Sequence, residues 1–203
     1  MSITFMAKYD AVEGNSCHIH LSLWDSEDKP LFDTNRELFE HFLAGQLACL
    51  RELALFFAPN INSYKRYSVG SFAPTSVAWG RDNRTCALRV VGQGPSLRIE
   101  NRVPGADANP YLALAAMTAA GLHGVDHELE LEPAVAGNAY KADKSRMPTT
   151  LRAARDLFAE SSVARDAFGV EVVEHYLNNA DVELVAFESA VTDWERKRGF
   201  ERL

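Results

Sequence analysis

Little in this sequence is sulfur-rich, repetitive or strongly basic. Its three cysteines, Cys17, Cys49 and Cys86, are an odd number without CxxC spacing and sit in apolar or strand-like contexts. That pattern argues for reduced thiols over a disulfide framework, and against a zinc site. Lysine and arginine together number 21 against 28 aspartates and glutamates, a formal charge of -7, which disfavours a sequence-independent nucleic-acid binder while leaving room for a local basic pocket. No stretch approaches the roughly 18 apolar residues of a membrane span, and Met1 to Phe5 lack the charged start and apolar run of a signal peptide. A cytoplasmic protein is expected, with no nucleic-acid or membrane partner. What is present is a 47% hydrophobic, 24% charged chain of 203 residues, enough to bury a core in one domain spanning residues 1–203.

Residues 2–8 read as a short strand. Over 18–24 the alternation places His18, His20 and Ser22 on one face and Ile19, Leu21 and Leu23 on the other. Thr34 and Glu37 form a capping-box signature for a helix reaching Phe57, ended by Pro59 and Asn60. Short β-like runs follow at 84–91 and 97–103. Asn109-Pro110 opens an alanine-rich helix to about Leu122. Residues 128–148 lack periodicity and read as a surface loop, long enough to suspect a functional role. A shorter helix over 150–160 precedes a long one over 171–198, with Gly199 as its stop.

Three constellations carry chemistry. His18-Ile19-His20-Leu21-Ser22 presents two imidazoles and a hydroxyl on one side of a strand, able to ligate a divalent metal or donate to phosphate. Alone, such a pair is more often a solvated polar face. Arg98-Ile99-Glu100-Asn101-Arg102 puts two guanidiniums and a carboxylate on one face, suited either to a surface charge triplet or to a pocket where Glu100 holds a cation and arginines grip an anion. Lys65, Arg66, Arg84 and Arg89 add cations near Trp79, Gly80 and Asn83, a solvated face by default and an anion cluster beside the other two.

In order and spacing, Gly14, His18-Ile19-His20-Leu21-Ser22-Leu23, Asn62-Ser63-Tyr64-Lys65-Arg66, Ala73-Pro74, Ala78-Trp79-Gly80, Asn83-Arg84, Arg98-Ile99-Glu100-Asn101-Arg102 and Ala108-Asn109-Pro110-Tyr111-Leu112 resemble the glutamine synthetase family. The closing Asp193-Trp194-Glu195-Arg196, Arg198-Gly199-Phe200-Glu201 looks like its bacterial γ-glutamylpolyamine synthetase-like branch. The resemblance implies an α+β fold, a curved and mainly antiparallel sheet carrying the site, with helices 34–57, 109–122 and 171–198 on its outer face. It further implies that an N-terminal β-grasp domain and part of the catalytic domain, bearing most metal-binding glutamates, would precede residue 1, so that this chain alone is inactive.

By the same resemblance His18 and Glu100 are ligands of Mg²⁺ or Mn²⁺, and His20, Ser22 and Arg98 contact ATP. Gly14, Arg66 and Arg102 bind glutamate, and Arg84 and Arg89 stabilise the transferred phosphate. The implied reaction is ATP-dependent formation of a γ-glutamyl amide through γ-glutamyl phosphate, in a homo-oligomer of stacked rings. Where ammonia-using members carry a glutamate two residues before proline, this sequence has Phe72, and Glu13 replaces the asparagine usual before Gly14. Phe72 then either packs in the core or lines an apolar amine site. Both changes favour a polyamine or related small primary amine as acceptor, with ammonia-dependent glutamine synthesis and an inert homologue as alternatives. Tyr140 falls near the loop that is adenylylated in some bacterial members; here its flanking residues differ, and it is expected to be an unmodified, solvent-facing tyrosine.

Overall fold

The computed structural model describes residues 1–12 and 14–202; Glu13, read as a departure from the family pattern, lies outside them. The strands expected over 18–24, 84–91 and 97–103 appear in shortened form as β1 (Ile19–Leu21), β3 (Leu88–Val91) and β4 (Arg98–Asn101), and an unanticipated β2 (Trp79–Arg81) completes a sheet of order β1-β4-β3-β2. β1 and β3 run antiparallel to β4, and β2 joins β3 in parallel. The sheet is thus mainly antiparallel, as expected. Its register aligns His20, Glu100, Arg89 and Gly80 in one row across all four strands. Because successive side chains alternate, Leu21, Leu88, Val90 and Ile99 are buried on one face while His20, Arg89, Arg98 and Glu100 share the other.

The buried face is covered by α2 (Arg36–Ala48) and α4 (Pro110–Asp126). These two helices touch backbone to backbone: a Cβ on Gly45 would lie 2.1 Å from the carbonyl oxygen of Ala120, and one on Gly121 would lie 2.2 Å from the Phe42 ring. Only glycine permits that approach. Asn109 caps α4 by accepting from the Tyr111 amide at 3.0 Å, with Pro110 in the first turn, as the sequence indicates.

Several expectations are corrected. The single helix expected over 34–57 is α1 (Leu31–Thr34), α2 and α3 (Ala54–Phe57). Asn35, extended at φ -129°, caps α2 by accepting from the Leu38 amide at 3.1 Å, whereas the Thr34 hydroxyl donates to the Pro30 carbonyl at 2.9 Å. The Thr34–Glu37 capping box is therefore not used. The helix expected over 171–198 is α7 (Val170–Ser189) and α8 (Asp193–Arg202), and Gly199 lies inside α8. The break has a cause in the sequence: Thr192 and Glu195 form a capping box, the Glu195 carboxylate accepting from the Thr192 amide at 2.6 Å and Thr192 Oγ1 from the Glu195 amide at 3.3 Å.

Between α5 (Leu151–Glu160) and α7 lies an unanticipated α6 (Ser162–Phe168), capped by Ser161. α7 packs on α5 and α6, a second layer behind the sheet-covering helices. The Phe56 ring of α3 joins the layers, meeting Phe158, Phe168 and Tyr176 at centroid distances of 4.9, 5.1 and 5.1 Å. Residues 2–8 form no strand. Instead Lys8 exchanges backbone hydrogen bonds with the Asn62 side chain at 2.8 and 2.9 Å, and the Asn15 amide donates to Ala7 O, stitching this segment beside the open sheet face. No helix among the described residues is long and apolar enough to cross a membrane.

Candidate active site

Glu100 is the centre of the open face. It is 3% exposed, and four partners converge on its carboxylate. Oε1 lies 3.1 Å from His18 Nδ1, 3.0 Å from Arg102 Nη1 and 3.8 Å from His20 Nε2, while Oε2 accepts from Arg89 Nη1 at 2.9 Å. Burial alone would raise the Glu100 pKa, but the Arg89 hydrogen bond and the charges of Arg102, His18 and Arg89 prevail and hold it below the ordinary carboxylate range. His18 moves the other way for an imidazole. Burial, then the Arg102 guanidinium, outweigh the Glu100 carboxylate and push its pKa down to about 4. The pair at neutral pH is consequently an ionised carboxylate and a neutral imidazole.

This pair fits part of a cation shell. Two cis ligands of an octahedral Mg²⁺ with bonds of about 2.1 Å sit roughly 3.0 Å apart, close to the His18–Glu100 separation. A direct hydrogen bond spans the same distance when Nδ1 carries the proton. Among the described residues no group of three or more His, Cys, Asp or Glu side chains is disposed to hold a metal ion. His18 and Glu100 therefore amount to two ligands of an incomplete set.

The arginines arrive from four separate turns and strands. Arg66, on a 3₁₀ turn (Ile61–Arg66), and Arg102, just past β4, are each 4% exposed. Arg66 Nη2 donates to the Val103 carbonyl, and its guanidinium lies 5.2 Å from the Tyr67 ring centroid. Gly14 faces it so closely that a Cβ there would be 2.7 Å from Arg66 Cγ. The Nε groups of Arg66, Arg89 and Arg102 are buried without a hydrogen-bond partner, a costly state that a bound carboxylate or phosphate would relieve. Arg84 is exposed in the turn after β2, and its charge contributes to lowering the Arg102 pKa, behind burial. At the other end of the row, Arg98 Nε donates to His20 Nδ1 at 3.1 Å, and Ser22 Oγ accepts from the Trp24 indole at 3.1 Å.

Phe72 does not pack in the core. The residue is 58% exposed, its backbone is left-handed at φ +57°, and its carbonyl accepts from Arg102 Nη2 at 3.4 Å. Asp82 is a participant that sequence reasoning passed over: it accepts from Arg89 Nη2 at 2.5 Å, so Arg89 bridges Asp82 and Glu100. Tyr140 is corrected. It is buried, not solvent-facing, and its hydroxyl donates to the Ala73 carbonyl at 3.1 Å. Cys49 and Cys86 are free and buried, and burial pushes their thiols up to about 12 and about 11, so neither is a nucleophile at neutral pH.

Residues 1–199 match the family described as glutamine synthetase, catalytic domain. A γ-glutamylethanolamide synthetase of Streptomyces coelicolor is 61% identical over 100% of this chain and 45% of its own length. A glutamate–isopropylamine ligase of a Pseudomonas species is 40% identical over 98% of this chain and 46% of its own. Among solved structures, GmaS in complex with ADP superposes with a TM-score of 0.89 at 28% identity, covering 98% of this chain and 49% of that one. The chain spans about half the length of the curated relatives it matches.

Proposed function

This chain belongs to the glutamine synthetase family, and on that premise we propose that it forms the nucleotide-, metal- and carboxylate-binding part of an ATP-dependent ligase joining glutamate to a primary amine. The observation that carries this reading is the convergence of His18, Arg89 and Arg102 on Glu100 within 3.1 Å, on one open sheet face. His18 and Glu100 contribute two ligands to Mg²⁺ or Mn²⁺, whose charge, once bound, offsets that of the phosphates. Arg66 and Arg102, with the Gly14 backbone beside Arg66, hold the glutamate. Arg98, His20 and Ser22 contact the nucleotide, while Arg84 and Arg89 neutralise charge on the phosphoryl group in flight.

The γ-carboxylate oxygen attacks the terminal phosphorus of ATP and ADP leaves. The amine nitrogen then attacks the acyl carbon, phosphate departs from the tetrahedral intermediate, and the amine loses its proton. Phe72 makes the acceptor side apolar, and an aromatic face suits an alkylammonium better than a small, strongly hydrated ammonium ion. The relatives named for ethanolamide and isopropylamine support an organic acceptor. A cytoplasmic homo-oligomer is the setting this reading implies.

A coupled ADP-release assay on the protein that carries this chain, with ethanolamine, isopropylamine, putrescine, spermidine and ammonium in parallel, tests it. Turnover with an organic amine above that with ammonium is expected. Turnover with ammonium alone would sink the amine assignment, and absence of both turnover and Mg²⁺-ATP binding would leave an inert homologue.

A further inference from the structure

Phe72 is an energetic anomaly. A bulky L-residue in the left-handed region is strained and persists only where its surroundings enforce it, and a residue left 58% exposed recovers little of that strain through burial. The enforcing contacts are identifiable. The Phe72 carbonyl accepts from buried Arg102 at 3.4 Å, and the next carbonyl, that of Ala73, accepts from the buried Tyr140 hydroxyl at 3.1 Å.

Tyr140 is itself held from both sides by the connection between α4 and α5. Asn83 Nδ2 donates to the carbonyls of Val135 and Gly137 at 2.9 and 2.8 Å, and the Ala139 amide donates to Thr85 Oγ1 at 2.9 Å. On the opposite side Ser76 Oγ donates to Ala139 O at 3.1 Å, and Arg146 donates to Ser76 Oγ at 2.7 Å and to Tyr140 O at 3.3 Å. The segment is a strap bolted to the turn that carries Arg84 and to the turn that carries Phe72.

We propose that Tyr140 is a positioning residue for amine selection, holding the Phe72–Ala73 backbone so that the Phe72 ring is presented at the acceptor side of the site. The inference rests on the reading of Phe72 as the amine-facing residue. It acts through Phe72 alone, so its signature is coupling between the two positions.

Steady-state kinetics on the protein that carries this chain, comparing wild type, Tyr140→Phe, Phe72→Ala and the double variant, provide the test. Tyr140→Phe keeps the packed ring and removes one buried hydrogen bond, so the amine KM is expected to rise about three- to ten-fold while the ATP KM stays unchanged. In the Phe72→Ala background the same substitution is expected to change the amine KM less than about two-fold. An unchanged amine KM, an equal rise in both backgrounds, or a joint rise in the amine and ATP KM would overturn the proposal. Should Tyr140→Phe not accumulate as folded protein, Arg146→Gln loosens the strap at Ser76 and Tyr140 O without altering the ring, with the same coupling expected. Wild type is assayed first: failure with every amine overturns the ligase reading and this inference with it, whereas active wild type with uncoupled variants overturns only the inference.

Discussion

Burial sets the chemistry of His18. With a folded pKa of about 4 against an ordinary 6.5, its imidazole stays neutral through physiological pH, available to a cation without proton competition. The unfolded chain takes up the proton first, so stability is fully present above about 6.5 and falls as pH drops from about 6.5 to about 4. Urea unfolding across that range should show the decline, and NMR titration should find the His18 ring neutral at pH 5; a midpoint near 6.5 would contradict the burial argument. Glu100→Gln removes the one carboxylate that pairs with buried Arg102 among the described residues, leaving an uncompensated charge, and should cost about 3 kcal/mol in denaturant unfolding. Strand alternation made His18 legible with His20 in one strand and Glu100 with Arg102 in another, while their meeting on one face depends on the antiparallel pairing of β1 with β4 and was expected only from the family resemblance. Asp82 and Tyr140 were not legible: Asp82 serves Arg89 across a turn and Tyr140 serves Ala73 across 67 positions, and local pattern carries no information about such partners.

At the scale of elements, glycine governs the packing of α2 on α4. Gly45→Ala would press a methyl against Ala120 O and the Gly124 backbone, and overpacking of this kind typically costs about 1–3 kcal/mol. Gly137→Ala, with nothing within 4 Å of the added Cβ, is the matched control; equal loss of stability in both variants would refute close packing as the cause. The α4 start was legible from Asn109-Pro110, since capping is local. The break between α7 and α8 was written in Thr192-Asp193-Trp194-Glu195, but apolar spacing at Phe187, Val191 and Trp194 masked it, and all three are in fact exposed. Parallel pairing of β2 with β3 and the layering of α7 on α5 and α6 depend on long-range docking, which periodicity does not encode.

Over the whole molecule, apolar side chains stand in solvent at both ends, among them Ile3, Phe5 and Tyr9, and Val185, Trp194 and Phe200. The chain spans about half of the length of the curated relatives it matches. Expressed as these 203 residues, the chain is expected to release no ADP and to scatter light as a species smaller than a ring; a stable ring would contradict that. The central claim, that the imidazole strand and the arginine-glutamate strand face one cation-binding cleft, is tested most directly by adding Mn²⁺ with ATP to the protein that carries this chain and following paramagnetic broadening of the histidine ring signals. The account predicts that His18 broadens first, with His20, before His123 and His127, which stack at 4.1 Å beside α6 on the far side of α4. Earlier broadening of His123 and His127, or uniform broadening of every histidine, would contradict it.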